Sequence, residues 1–255
     1  MKLGFIGCGN MASAIIGGIL ENNMVKKEDI LASVKSESSA KRVQETLCIS
    51  CSTDNLAVAK QADYLFLAMK PQFCAQVAAQ IKDVLPKNQV IISIIAGKNL
   101  SWLKEQLGEE KKIIRTMPNT PALVGEGITG VCPDSLVSQE EIQQVLALLR
   151  SCGRADVVTE PILDIVGAVS GSSPAFVFMF IEALADGAVA EGMPRKQAYE
   201  FAAQAVLGSA KMVLDTGKHP GELKDMVCSP AGTTIEGVNT LEKEALTMTR
   251  RSPEA

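Results

Sequence analysis

The chain has 255 residues, 47% of them hydrophobic, which is material for one large domain or two modest ones with a proper core. A formal net charge of -4 with a pI near 5.3 argues against a non-specific nucleic-acid binder, which needs excess Lys and Arg to neutralise phosphates. The seven cysteines are odd in number and scattered, unlike the framework of a small secreted domain, so a reducing compartment is expected.

Short apolar runs alternate with amphipathic stretches through the first half, the pattern of βαβ units around a sheet buried on both faces. Strands are expected at Leu3–Ile6, Ile30–Val34, Tyr64–Ala68, Val90–Ile95 and Ile113–Met117. Helices are expected between them at Met11–Glu21, Glu37–Thr46, Leu56–Gln61, Phe73–Val84 and Leu100–Leu107, giving a doubly wound parallel sheet. Gly127–Cys132 and Ala155–Thr159 read as two further strands flanking a helix at Gln139–Arg150. From Ile162 onward Ala, Leu, Met and Gly recur at helical spacing, so the expected organisation is an α/β domain over 1–159 and an all-helical one over 160–255. Its helices should be Pro174–Ala190, Arg195–Thr216 and a short one after the turn at Pro230–Gly232. The opening Met1 to Leu20 mimics a signal peptide, but Gly7, Gly9 and Asn10 interrupt its apolar core. Glu182 and Asp186 interrupt the best candidate for a membrane span, so a soluble protein is expected.

The segment Leu3 to Ala12 has the form strand, tight glycine turn, helix, with Gly7, Gly9 and Ala12 in the G-x-G-x-x-A pattern of dinucleotide sites. Gly7 permits the sharp turn, Gly9 lets a pyrophosphate approach the backbone, and the helix start offers free N–H groups to the anion. A carboxylate at the end of the second strand would favour NAD and repel the 2′-phosphate of NADP. Here that end reads Ala32-Ser33-Val34-Lys35-Ser36, with no acid, and Lys35 with the hydroxyls of Ser33 and Ser36 can receive a phosphate, so NADPH is expected and NADH is the alternative.

Five segments in order carry a resemblance: Gly4 to Met11; Ala68-Met69-Lys70-Pro71-Gln72; Arg115-Thr116-Met117-Pro118-Asn119-Thr120-Pro121; Val169-Ser170-Gly171-Ser172-Ser173-Pro174-Ala175; and Leu223 to Thr234, ending Ser229-Pro230-Ala231-Gly232-Thr233-Thr234. Over nearly its whole length the chain resembles the pyrroline-5-carboxylate reductase family. The resemblance implies an N-terminal Rossmann-type domain, a C-terminal helical dimerisation domain, and reduction of 1-pyrroline-5-carboxylate to L-proline by NAD(P)H. Helices as apolar as Pro174–Ala190 need another surface to cover them, so a homodimer or higher homo-oligomer is expected, and the reducing compartment makes a cytoplasmic location the expectation. The resemblance also implies cofactor contacts at Ile6, Gly7, Cys8, Gly9, Asn10 and Met11, at Ser33, Lys35 and Asn55 beside the adenosine, at Ala68, Met69, Lys70 and Pro71, and at Ile94, Ile95 and Ala96 toward the nicotinamide. Ala231 departs from the glycine common in the family's turn, which matters only where that position needs a positive φ. The end of the chain, Ala245 to Ala255 with Arg250, Arg251 and Pro253, also departs from the family's usual continuation into a further helix.

Reducing a C=N bond needs hydride at carbon and a proton at nitrogen, and the cofactor carries the harder part. The turn with Ser229, Gly232, Thr233 and Thr234 precedes a helix whose apolar face is Ile235, Val238 and Leu241, so its free N–H groups can receive a carboxylate. Thr234 is the candidate hydrogen-bonding group for the imine nitrogen, and helix capping by Ser229 or Thr233 is the competing role. Other constellations carry less. Cys48 and Cys51 have C-x-x-C spacing but no second pair, His219 stands before a Pro-Gly turn, Glu182, Asp186 and Glu191 form a solvated stripe, and Lys224 with Asp225 reads as a surface pair. The β-hydroxyacid dehydrogenases share the domain order, but as a family carry a catalytic lysine in the first long helix of the second domain; no lysine lies between Val169 and Pro194. A non-catalytic NADP(H)-sensing module would lack a use for the turn at Ser229–Thr234.

Overall fold

A computed structural model describes residues 1–243 of the chain. The strands are β1 (Leu3–Ile6), β2 (Ile30–Ser33), β3 (Ser50–Ser52), β4 (Tyr64–Leu67), β5 (Val90–Ser93), β6 (Lys112–Met117), β7 (Gly127–Pro133) and β8 (Gly153–Val157), in the sheet order β3-β2-β1-β4-β5-β6-β7-β8. All neighbours pair in parallel except β6 and β7. The expected doubly wound parallel sheet is present, with this one antiparallel pair for a simple reason: residues 118–126 are fewer than the dozen or so a parallel crossover needs.

Helices α1 (Asn10–Glu21), α2 (Glu37–Leu47), α3 (Asn55–Gln61), α4 (Cys74–Ile81), α5 (Leu100–Leu107) and α6 (Gln139–Arg150) cover the two faces. The stretch expected as one helix over Phe73–Val84 is broken into a 3-10 turn at Pro71–Phe73, α4, and a second 3-10 turn at Lys82–Val84. Because strand residues alternate, Phe5 faces a core with Ile15, Ile16, Ile19 and Phe66, whereas Ile6 faces one with Leu65, Leu67, Ile81 and Ile91. Phe5 and Phe66 stack with ring centroids 4.5 Å apart, coupling the adjacent strands β1 and β4. Ser138 caps α6 in a reciprocal bond with Glu141, which fixes where that helix starts.

The chain divides into two compact units, Met1–Phe176 and Val177–Ala255. The first extends past the strands because α7 (Glu160–Val166) packs on β6 and β7, with Leu163 fully buried, and runs through a π-helical turn (Gly167–Gly171) into α8 (Ser173–Ala190). Glu160–Ala190 is thus one continuous helical run, and an 18-residue window in it has mean hydropathy 1.6. By length and composition that run is sufficient to cross a membrane, contrary to the expectation from Glu182 and Asp186, which lie only in its last third.

The second unit contains the rest of α8, then α9 (Arg195–Thr216), α10 (Pro220–Val227) and α11 (Thr233–Lys243). Arg195 pairs with Asp186 and lies 5.3 Å over the ring of Tyr199, joining α8 to α9. His219 begins a helix instead of lying in a turn: its Nδ1 accepts from Gly221 N at 3.1 Å and caps α10, while Pro220 opens the first turn where a missing N–H costs nothing. Only three residues among 177–243 are buried, and all are alanines: Ala185, Ala198 and Ala202. Phe178, Met179, Phe201, Leu214, Met226 and Val227 are each more than half exposed. The expected tail departure lies outside the described residues.

Candidate active site

Three strand ends meet at the glycine turn. Gly7 N donates to Ser33 O and Ala68 N to Ile6 O, each at 2.8 Å, closing β1 between β2 and β4 at the point where the strand order reverses. Gly7 has φ +90, and a Cβ there would stand 2.5 Å from Ala68 O, so both the turn and the close backbone approach require glycine. Gly9 is the residue before α1, with no side-chain cap and no acid in the first turn. A Cβ on Gly9 would meet nothing within 4 Å. The first N–H groups of α1 therefore face open space, bounded by exposed Asn10 and backed by buried Ala12. Burial pushes the Cys8 thiol above its ordinary pKa, against the smaller opposing effect of Ser13, whose Oγ lies 3.8 Å from the sulfur. Ile6 turns its side chain into the core and offers this site its backbone only, while Met11 is half-buried at the rim.

At the end of β2 the expected residues separate into different jobs. Ser33 is fully buried and donates to Asn55 Oδ1 at 2.8 Å, so its hydroxyl does not reach solvent and Asn55 is the outer member of the pair. Asn55 in turn donates to Gln80 Oε1 at 2.9 Å, which holds its amide between β2 and α4. Lys35 is exposed, its ammonium 5.3 Å from the ring of Phe73 just beyond β4. Ser36 caps α2, accepting from Ser39 N at 3.3 Å, so the expected phosphate ligand already has a structural duty. Sequence reasoning missed Phe73 and Gln80; nothing local marks either, because both come from the loop and helix after β4.

Ala68 and Met69 are half-buried and Lys70 and Pro71 exposed, all directly beyond the carboxyl end of β4. Beyond β5, Ile94 is half-buried, Ala96 is exposed, and Ile95 is 1% exposed and belongs to the core, leaving only its main chain for a ligand. A cavity of about 350 Å³ follows, lined by Gly97, Lys98, Asn99, Trp102, Arg115 and Asp164. The buried Arg115 donates to Glu160 at 3.1 Å and Asp164 at 2.7 Å, and Glu160 also accepts from Leu100 N at 2.7 Å. Such pairs tie β6, α5 and α7 at one end of the sheet, and losing both would leave the buried guanidinium uncompensated.

In the second unit Gly232 N donates to Ser229 O at 3.1 Å, forming the turn that opens into α11. Ser229, Thr233 and Thr234 are exposed, and a Cβ at Gly232 would fall 2.3 Å from Ser229 Oγ. Ala231 has φ +55, the left-handed conformation that favours the glycine it replaces. The set-aside residues stand apart: Cys48 is exposed in an αL cap while Cys51 is buried in β3, its thiol pushed up to about 11 by burial. Lys224 pairs at 3.9 Å with both Asp225 and Glu242 on the surface.

Residues 160–251 match the family model for pyrroline-5-carboxylate reductase dimerisation, and residues 2–97 match the model described as NADP oxidoreductase coenzyme F420-dependent. Pyrroline-5-carboxylate reductase of Escherichia coli K12 is 51% identical over 243 residues, covering 95% of this chain and 90% of that protein. The chain belongs to the pyrroline-5-carboxylate reductase family. The Arabidopsis thaliana reductase is 40% identical over 95% of the chain. The crystal structure of Plasmodium falciparum pyrroline carboxylate reductase with NADP bound superposes with a TM-score of 0.87 at 35% identity, covering 96% of this chain and 90% of that one. Pyrroline-5-carboxylate reductases are NAD(P)H-dependent oxidoreductases that catalyse the last step of proline biosynthesis. The residues of this reductase fit such a cofactor: the open space outside Gly9, the acid-free first turn of α1 and the acid-free end of β2 together suit a dinucleotide carrying an extra phosphate.

Proposed function

We propose that this chain reduces 1-pyrroline-5-carboxylate to L-proline with NADPH as the favoured donor and NADH as the alternative. The observation that carries the reading is 51% identity across 95% of the chain to a reductase of that name, joined to a glycine cradle with the shape its cofactor requires. The nicotinamide supplies the hydride when bound. The backbone from Ile6 to Met11 receives the pyrophosphate, Lys35 and Asn55 serve the 2′ side of the adenosine, and Ala68 to Pro71 with Ile94 to Ala96 line the nicotinamide half. The functional division falls at 1–159 for the cofactor and 160–255 for substrate and assembly, a boundary favoured by the residue at which the dimerisation model begins to match.

The first-turn N–H groups of α11, with Ser229, Gly232 and Thr233, bind the substrate carboxylate, and Thr234 donates a hydrogen bond at the imine nitrogen. The protein is a soluble cytoplasmic homo-oligomer, and a second copy covers the apolar faces of α8 and α9. Neither nucleic acid nor membrane is a partner, a reading supported by the negative net charge and by the match of the apolar run to a dimerisation model. Mixing purified protein with NADPH and 1-pyrroline-5-carboxylate and following reduced-nicotinamide absorbance tests the proposal. Substrate-dependent loss of absorbance with formation of proline is expected; absence of turnover with either nicotinamide overturns it.

A further inference from the structure

Two of the motifs that carry the family resemblance have no part in the cofactor cradle or the carboxylate turn, and the structure joins them. Pro174 has no N–H, so the carbonyl of Ser170, four residues earlier, loses its helical donor. Ala175 N does not replace it, because it donates to Ser172 O at 3.1 Å. The donor comes from outside the helix: Asn119 Nδ2 bonds Ser170 O at 3.1 Å, while Asn119 Oδ1 accepts from Ile128 N at 2.9 Å. Asn119 is 8% exposed, so both halves of its amide are committed in a nearly dry joint between the loop after β6, the start of β7 and the π-helical turn. Ser170 Oγ bonds Val166 O at 2.8 Å within the same turn, and Gly167 packs against Met117, its added Cβ falling 3.4 Å from Met117 Cε. The Arg115 pairs with Glu160 and Asp164 fasten the preceding turn to the same strand.

A π-turn inside an α-helix costs hydrogen-bond geometry and persists only where something holds it. We propose that Asn119 is a positioning residue for the reaction: by supplying the donor that Pro174 lacks, it locks the π-turn Gly167–Gly171 over the carboxyl end of β6. This rests on the reductase reading. The strand beside β6 is β5, whose carboxyl end carries Ile94 to Ala96, and ligands of such sheets lie beyond those ends. The outward edge of the turn, Ala168, Val169, Gly171 and Ser172, is exposed there and forms a wall whose register depends on one amide. Asn119 touches no reacting atom in this account. It sets the distance between the wall and whatever is held beyond β5.

The test compares Asn119→Asp, which keeps an acceptor for Ile128 N and removes only the donor, with Asn119→Ala and with Asn119→Ala/Pro174→Ala. Either single variant should lower kcat by about tenfold or more and raise the deuterium isotope effect seen with reduced nicotinamide labelled at the transferred position, while the NADPH dissociation constant from fluorescence stays within about twofold. The double variant restores an N–H four residues after Ser170, so its unfolding midpoint should return toward wild type while kcat stays low. Amide exchange across residues 168–172 should rise in both single variants. A kcat within roughly threefold of wild type, or recovery of kcat together with the midpoint in the double variant, makes Asn119 merely structural and overturns the proposal. Failure of the wild type to turn over the imine sinks the reductase reading instead; the exchange measurement then still decides the clamp, and unchanged protection overturns it.

Discussion

Gly7 and Gly9 stand two residues apart in one turn, yet the structure assigns them opposite sensitivities to the same substitution. Alanine at Gly7 must adopt φ +90 and place its Cβ 2.5 Å from Ala68 O, a main-chain atom that cannot swing aside. The left-handed backbone costs about 1–2 kcal/mol and the forced contact about 1–3 more, against roughly 0.4–1 returned by the stiffer unfolded chain, so a net loss of about 1–4.6 kcal/mol is expected. Thermal unfolding of Gly7→Ala should fall by about 3–15 °C. Gly9 has φ -89 and open space around its would-be Cβ, so Gly9→Ala should unfold within about 2 °C of wild type. The methyl group instead enters the space where a pyrophosphate meets the first N–H groups of α1. Losing one charge-assisted hydrogen bond of about 1.5–3 kcal/mol should raise the NADPH dissociation constant by roughly ten- to two-hundredfold. Calorimetry and fluorescence titration of the two variants measure both halves. Tight NADPH binding by Gly9→Ala would refute the cradle, and full stability of Gly7→Ala would refute the close approach of β1 and β4.

Lys35→Asp should weaken NADPH much more than NADH, because a carboxylate then faces the 2′-phosphate; an unchanged preference in paired titrations would remove Lys35 from that site. Thr234→Ala should slow kcat by roughly ten- to a thousandfold while Thr234→Ser retains much of it, and a raised KM alone would limit the hydroxyl to holding the carboxylate. Ala231→Gly should leave stability equal or raise it by up to about 1 kcal/mol, since the left-handed residue is relieved while the unfolded chain gains freedom; a clear loss in denaturant unfolding would contradict the strain. Light scattering should report at least twice the 27.1 kDa chain mass, and an active monomer at micromolar concentration would refute the homo-oligomer.

What could be read in advance follows the range of the forces involved. The apolar runs at β1, β4 and β5 are buried on both faces, so their sequence signal is continuous and their starts coincide with the expected ones. The expected ranges Arg195–Thr216 and Gln139–Arg150 coincide with α9 and α6. The antiparallel turn of β7 is written in the short connection between Met117 and Gly127 and not in the strand itself, so reading strands one by one does not reveal it. Helix α10 was mistaken for a turn because Pro220 and Gly221 punctuate either structure, and α7, though announced by Thr159-Glu160-Pro161, was absorbed into the general texture of the second half. At the site, glycines carry their meaning locally, and the turn at Gly7 and Gly9 lies where the sequence puts it, between β1 and α1. The polar residues do not: whether Ser33 faces a ligand or Asn55, and whether Ser36 binds a phosphate or caps α2, is decided by neighbours from other elements. The need for a positive φ at Ala231 was posed by sequence and answered by the backbone.

Among the described residues 177–243 the buried ones are three alanines, so these helices cannot hold together by burial alone. The α/β unit closes around its own two cores, whereas on the homo-oligomer reading proposed above the helices meet an identical surface before their apolar side chains leave water. Maturation is then a second-order process: its half-time lengthens as the chain is diluted, and a newly made chain waits with an adhesive flank in the meantime. Production level, not only sequence, thus decides how much of this enzyme reaches its working form.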